Sequence, residues 1–314
     1  MGSLRRAVID IGTNSVKLLI GEVSGQQVEP LREESNQSRL GSGFYETHRL
    51  SQAAIARTAK AVAGFAAEAE RQAVSAIRIV ATSAARDAVN GEEMVSAVRA
   101  ACGLPVEIIA GEQEADWVFL GVATDPALSD QALLIVDAGG GSTEFILGEG
   151  RHAHFRQSFR LGTVRLLERL RPADLPAPED WARCQETLHH LFDREIGPAI
   201  QPALSALKHR TVQFVGTSGT ASILACLAKR LTRFDRDRIE ATRLSGAHIR
   251  RERERLWSLP LEQRKALPGL PPERADVILT GVAIYEAVMD KLHCPDLRVS
   301  TRGLRFAALM TAHG

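Results

Sequence analysis

VIDIGTNSV, residues 8–16, is an apolar run that stops on Asp10 and turns through Gly12, Thr13, Asn14 and Ser15 before the chain becomes apolar again. A hairpin alone accounts for such a stretch, since glycine admits a positive φ and Thr, Asn and Ser bond their own backbone in turns. A second copy changes that reading. In LIVDAGGGSTEFILGE, residues 134–149, Asp137 repeats the offsets of Asp10: glycine at +2 (Gly12, Gly139), serine at +5 (Ser15, Ser142) and glycine at +11 (Gly21, Gly148). The triplet before the last glycine is LLI in one copy and FIL in the other. These identities, set in one strand-turn-strand pattern, indicate a duplicated domain.

Between the copies, strands and helices alternate. SQAAIARTAKAVAGFAAEAER (51–71) places Ile55, Ala59, Val62 and Ala69 on one helical face, AIRIVAT (76–82) and VEIIAG (106–111) are strand candidates, and EQEADWVFLGVA reads as a helix. This pattern predicts α/β domains with mostly covered sheets. ATDPALSDQ (123–131) is polar and turn-rich and predicts the boundary. The second half is more helical, with a strand at VQFVG (212–216) and a helix after VGTSGTA that Ser218 or Thr220 would cap. HIRRERERLW (248–257) alternates Arg with Glu and reads as a solvated helix face laced with ion pairs.

The bulk composition narrows the partners. With 39 basic and 38 acidic residues among 314, the net charge of +1 argues for neither nucleic acid nor a membrane surface. Cys102, Cys184, Cys226 and Cys294 form no C-x-x-C pair, and the nine histidines show no metal-ligand spacing, so the thiols read as core residues of a reducing compartment. Met1 leads into Gly-Ser-Leu-Arg-Arg and a short strand rather than an apolar signal segment, and no apolar run approaches the ~18–20 residues of a membrane span. The expected location is the cytoplasm.

The paired turns suggest phosphate chemistry. Backbone N–H groups in glycine-rich turns form concavities for anions, and hydroxyls at Thr13, Ser15, Ser142 and Thr143 add donors. Gly139, Gly140 and Gly141 let a phosphate approach the main chain without meeting a Cβ. Asp10 and Asp137 would share a hydrated Mg²⁺ (or Mn²⁺) with phosphate oxygens, and Glu144 is a candidate for its outer shell.

These hairpins resemble the two phosphate-binding hairpins of the actin, sugar-kinase and heat-shock ATPase superfamily. More narrowly, the sequence resembles the exopolyphosphatase and guanosine pentaphosphate phosphohydrolase family through VIDIGTNSVKLLI, ATSAARDA, IIAGEQEA, VDAGGGSTE, LGTVRL, VGTSGTA, PPERADVILTGVAI and VSTRGLR. The resemblance implies two duplicated actin-like (ribonuclease H-like) α/β domains with a central cleft: residues 1–125, completed by a C-terminal helix at about 302–314, and residues 126–301. It assigns Glu114 as the base that orients and deprotonates the attacking water. Arg86 becomes a phosphate grip, and Gly12, Thr13, Asn14, Ser15, Gly139, Gly140, Gly141, Ser142 and Thr143 become the phosphate cradles. Gln113 stands where the family carries the first acid of its pair, and Phe306 where an acid is usual.

The implied activity is removal of terminal phosphate from polyphosphate, with guanosine pentaphosphate hydrolysis as the runner-up. A small-molecule kinase and a nonhydrolysing phosphate sensor are the further alternatives, and a homodimer is the protein partner left open. Only 3 Trp and 2 Tyr are present, none next to the hairpins or VGTSGTA in sequence, which favours polyphosphate over a guanine nucleotide. Longer family members add a helical C-terminal domain, so short or intermediate chains are the expected substrates.

Overall fold

A computed structural model describes residues 3–311, so the end of the expected C-terminal helix, 312–314, lies outside the described residues. The chain divides into two compact units, Met1–Pro126 with Arg302–Gly314, and Ala127–Thr301.

The first unit begins with the quoted stretch. β1 (Leu4–Ile11) and β2 (Val16–Ser24) form the hairpin, and β3 (Gln27–Asn36) continues the meander. Then follow α1 (Phe44–Thr47), α2 (Gln52–Arg71), β4 (Ala76–Ala81), α3 (Ser83–Asp87), α4 (Gly91–Cys102), β5 (Val106–Ile108) and α5 (Gly111–Val122). The sheet order is β3-β2-β1-β4-β5, with β1, β4 and β5 parallel. β5 is shorter than VEIIAG predicts, because Ala110 already serves as the N-cap of α5. The alanine-rich face of α2 packs on β1 and β2, as its period requires.

The second unit repeats the plan. β6 (Ala132–Ala138), β7 (Thr143–Glu149) and β8 (His152–Phe159) form the meander; α6 (Thr163–Leu170), α7 (Pro178–Leu191), a π-helical turn, α8 (Gly197–Ala206), β9 (Val212–Thr217) and α9 (Ser218–Lys229) follow. The unit then adds α10 (Arg236–Ile239), β10 (Arg243–Ser245), α11 (Gly246–Trp257), α12 (Leu261–Lys265), a 3₁₀ turn at Pro272–Arg274, α13 (Ile278–Lys291) and β11 (Asp296–Val299). Its sheet order, β10-β11-β9-β6-β7-β8, matches the first sheet with an antiparallel edge strand added. α13 is buried from Ile278 to Met289 because α6, α7, α9, α11 and β6 pack around it. A last helix, α14 (Leu304–Met310), belongs to the first unit and packs on α5 and β1.

The repeated glycines now have reasons. Gly12 N–H donates to Ser15 O and Gly139 N–H to Ser142 O, both at 3.0 Å, so the +2 and +5 residues close the same turn. A Cβ on Gly139 would lie 3.0 Å from Ser142 O, and neither Gly12 nor Gly139 has a positive φ; close approach, and not the expected φ freedom, is what these positions need. The +11 glycines sit at register shifts, between Ile20 and Gly21 in one meander and between Leu147 and Gly148 in the other. A bulge at the same place twice is the structural trace of the duplication.

Two expectations need correction. No side chain caps α9: Ser218 Oγ and Thr220 Oγ1 instead donate to Ala138 O, tying the helix to the end of β6. The Arg/Glu face of α11 is not simply solvated. Arg253 pairs at 2.8 Å with Glu286 of α13 and stacks over Trp181, Arg250 reaches Asp290, and Glu252 is buried. Among the described residues, no helix is long and apolar enough to cross a membrane.

Candidate active site

In the first unit the turn Gly12–Ser15 is braced from both sides. Gly41 N–H donates to Thr13 O at 2.8 Å and Arg39 N–H to Asn14 O at 2.9 Å, while Thr82 N–H donates to Ile11 O at 3.1 Å from the β4 side. Thr13, Asn14 and Ser15 are all buried. Asp10 lies directly opposite Lys17 across the hairpin. Burial pushes its carboxyl pKa up, against the opposing fields of Lys17 and Arg305.

Arg86 and Glu114 meet in this same unit. Arg86 lies in the last turn of α3, the short helix that follows β4, and Glu114 lies in the first turn of α5. Arg86 Nη1 donates at 3.0 Å both to Glu114 Oε2 and to Ile109 O, so one guanidinium fixes the carboxylate against the loop that precedes its helix. Glu114 is 9% exposed, which leaves its carboxylate held in place and largely out of water. The expected phosphate grip and the expected base are therefore in direct contact.

The second unit carries the glycine-rich cradle. Asp137 and Glu144 face each other across β6 and β7, so both carboxylates emerge on one face of the sheet. Lys17 fills the corresponding place in the first hairpin, and the duplicated sites thus differ in charge. Glu144 is buried rather than facing solvent, and Ser158 Oγ donates to its Oε1 at 2.7 Å. Thr143 is removed from the set of hydroxyl donors, because its Oγ1 donates to Leu161 O. Ser142 is buried at the end of the turn, 5% exposed.

Behind the glycines stands the N-terminus of α6. Thr163 N–H donates to Gly139 O and Val164 N–H to Gly140 O, both at 2.9 Å, while Arg165 Nε donates to Gly141 O at 2.8 Å. The amides that would otherwise offer an anion site are thus spent on holding the turn's carbonyls. Gly162 permits this contact, since a Cβ there would lie 2.4 Å from Gly140 O.

Tyr285 was not expected here. Its hydroxyl donates to Val136 O at 3.1 Å and Thr217 O at 2.9 Å, bridging β6 and β9 just behind Asp137. Burial holds its phenol well above its usual pKa, and the ring is fully buried, so it offers no stacking face. The braces Gly41 and Gly162 were also missed. Their signal is a further repeat, Arg39-Leu40-Gly41 and Arg160-Leu161-Gly162, each with a buried leucine. Among the described residues no group of three or more His, Cys, Asp or Glu is placed to hold a metal ion.

Comparison with known proteins identifies the family. The model of the Ppx/GppA phosphatase family matches residues 8–311. Exopolyphosphatase 2 of Mycobacterium tuberculosis is 35% identical over 301 residues, covering 93% of this chain and 92% of that protein. Among solved structures, a Ppx/GppA enzyme of Aquifex aeolicus is 30% identical with a TM-score of 0.78, covering 99% of this chain and 100% of that one. An exopolyphosphatase of Cytophaga hutchinsonii is 28% identical with a TM-score of 0.85, covering 98% of this chain and 97% of that one. With its whole two-unit architecture matched, the chain belongs to the Ppx/GppA phosphatase family.

Proposed function

We propose that the chain is an exopolyphosphatase, hydrolysing the terminal phosphoanhydride of inorganic polyphosphate, with Glu114 as its general base. The observation that carries this reading is the Arg86–Glu114 pair: a carboxylate on a helix, nearly buried and held by a guanidinium beside a braced polar turn. The family membership and the name of the Mycobacterium relative support the substrate class.

Glu114 takes a proton from the attacking water, the oxygen bonds to the terminal phosphorus, and the bridging P–O bond breaks to release orthophosphate and a chain shorter by one unit. Arg86 orients Glu114 in the free chain and has the planar fork needed to grip phosphate oxygens. The turns at Gly12–Ser15 and Gly139–Ser142 supply backbone amides and small side chains that permit close approach. Asp137 and Glu144 are the residues that fit Mg²⁺ or Mn²⁺, since two carboxylates on one face satisfy part of the shell of a hard cation that keeps waters and phosphate oxygens for the rest. When bound, the cation neutralises phosphate charge.

Guanosine pentaphosphate stands second. Two aromatic residues beside VGTSGTA, Phe214 and Tyr285, are buried behind the strand ends and cannot stack on a base. A phosphate-release assay on polyphosphate, with and without Mg²⁺, tests the reading. Metal-dependent release of orthophosphate is expected; absence of release with both Mg²⁺ and Mn²⁺ rejects it.

A further inference from the structure

The polar groups around the two turns are satisfied very differently. In the second unit Ser218 and Thr220 hydroxyls donate to Ala138 O, Thr143 donates to Leu161 O, and Ser158 donates to Glu144. In the first unit Asp10 Oδ1, Thr13 Oγ1, Ser38 Oγ and Ser83 Oγ are buried without a hydrogen-bond partner. A buried polar atom left unpaired costs free energy, and native proteins hold few of them. Four around one turn call for a ligand.

Ser83 lies in ATSAARDA, a segment in which the resemblance gives a role to Arg86 alone. A Thr-Ser pair joins β4 to α3 and β9 to α9, and in both the threonine is the N-cap and the serine opens the helix: Thr82-Ser83 and Thr217-Ser218. The registers differ. Thr217 lies opposite Asp137, whereas Val80 lies opposite Asp10 and Ala81 opposite Ile11. β4 therefore carries Ser83 past the aspartate to the level of the turn, and Thr82 N–H fastens it there through Ile11 O. Ser218 stops short, beside Ala138 O, and is satisfied by it.

We infer that Ser83 is a substrate-binding residue whose hydroxyl, with that of Thr13, donates to the oxygens of a phosphoryl group held at the first turn. The inference rests on the polyphosphate reading and adds a donor to it. Ser83 Oγ is closed to solvent in the free chain, so it engages a phosphate by turning about χ1. That rotation breaks no hydrogen bond, whereas the same rotation at Ser218 would sacrifice the bond to Ala138 O. Arg86 lies three residues further on, in the last turn of the same short helix, so the hydroxyl and the guanidinium approach one ligand from one element.

The test compares wild type with Ser83→Ala, using tripolyphosphate with Mg²⁺ and measuring KM, kcat and the Tm of the ligand-free protein. The expected result is a KM raised about tenfold, the loss of one hydrogen bond to a charged oxygen, with kcat within about twofold. The free Tm should stay level or rise, since the deleted hydroxyl bonds nothing. Ser218→Ala, by contrast, should lower the Tm. An unchanged KM, or a free Tm that falls by more than about 2 °C, overturns the role of Ser83 while leaving the hydrolase reading standing. Wild-type protein that releases no phosphate rejects the hydrolase reading itself, and the inference with it.

Discussion

Glu114 is held by the Arg86 guanidinium, and its replacement by an isosteric amide separates chemistry from shape. Glu114→Gln keeps a hydrogen-bonding group against Arg86 Nη1 but cannot take a proton from water. A fall in kcat of ~10²–10⁴-fold with little change in KM is expected; initial-rate kinetics check it, and a variant retaining half the wild-type rate removes Glu114 from the role of base. Asp10 gives a second test through stability. Its raised pKa means that the folded chain holds the proton more tightly than the unfolded chain, whose value is near 3.8. The stability it contributes is therefore present below that pH and lost as pH rises through the folded value. In metal-free buffer Asp10→Asn should escape that loss, so its Tm should gain on wild type as pH rises above about 4; thermal melts over a pH series decide. Both residues were legible, Asp10 from the repeat and Glu114 from the resemblance. Their partners were not: Arg86 and Glu114 are 28 positions apart, and no local period joins them.

Strands and turns were the most legible elements, because the aspartate-anchored repeat recurs with the same closing bond and the same bulge. Helix ends were less so. Ser218 and Thr220 have the chemistry of caps, but the carbonyl of Ala138 on a neighbouring strand takes their protons, and a tertiary acceptor is invisible to a local pattern. The braces behind the turns were hidden for a related reason: Gly41 and Gly162 matter through backbones distant in sequence. Gly162→Ala should show this. Its Cβ would meet Gly140 O at 2.4 Å, so either α6 or the glycine turn must move, at a cost of about 1–3 kcal/mol. Urea unfolding and KM for polyphosphate should change together; normal stability with an unaltered KM would mean that the contact relaxes harmlessly and the turn is not a cradle. Phe306, where an acid was expected to be usual, is buried in the first unit with Arg302 over its ring at 5.5 Å, so the departure serves packing.

For the whole molecule, the contrast between an extended anion and a nucleotide can be measured directly. With no exposed aromatic face at VGTSGTA, kcat/KM for polyphosphate should exceed that for guanosine pentaphosphate at equal Mg²⁺ and salt; the reverse order at every chain length overturns the ranking. The division into two units follows from the repeat, but the order in which they can form does not. α14 closes the first unit: Arg6 Nη1 donates to Leu309 O and Met310 O at 3.1 Å, and Gly121 lets the backbone of Gly303 come so close that a Cβ would touch its carbonyl. On a ribosome, β1 emerges early but its last helix only after all of Ala127–Thr301 has been made. At ~5–20 residues per second that interval is on the order of ten to thirty seconds. The contiguous unit can close during it, whereas the first unit waits for α14 to complete its packing.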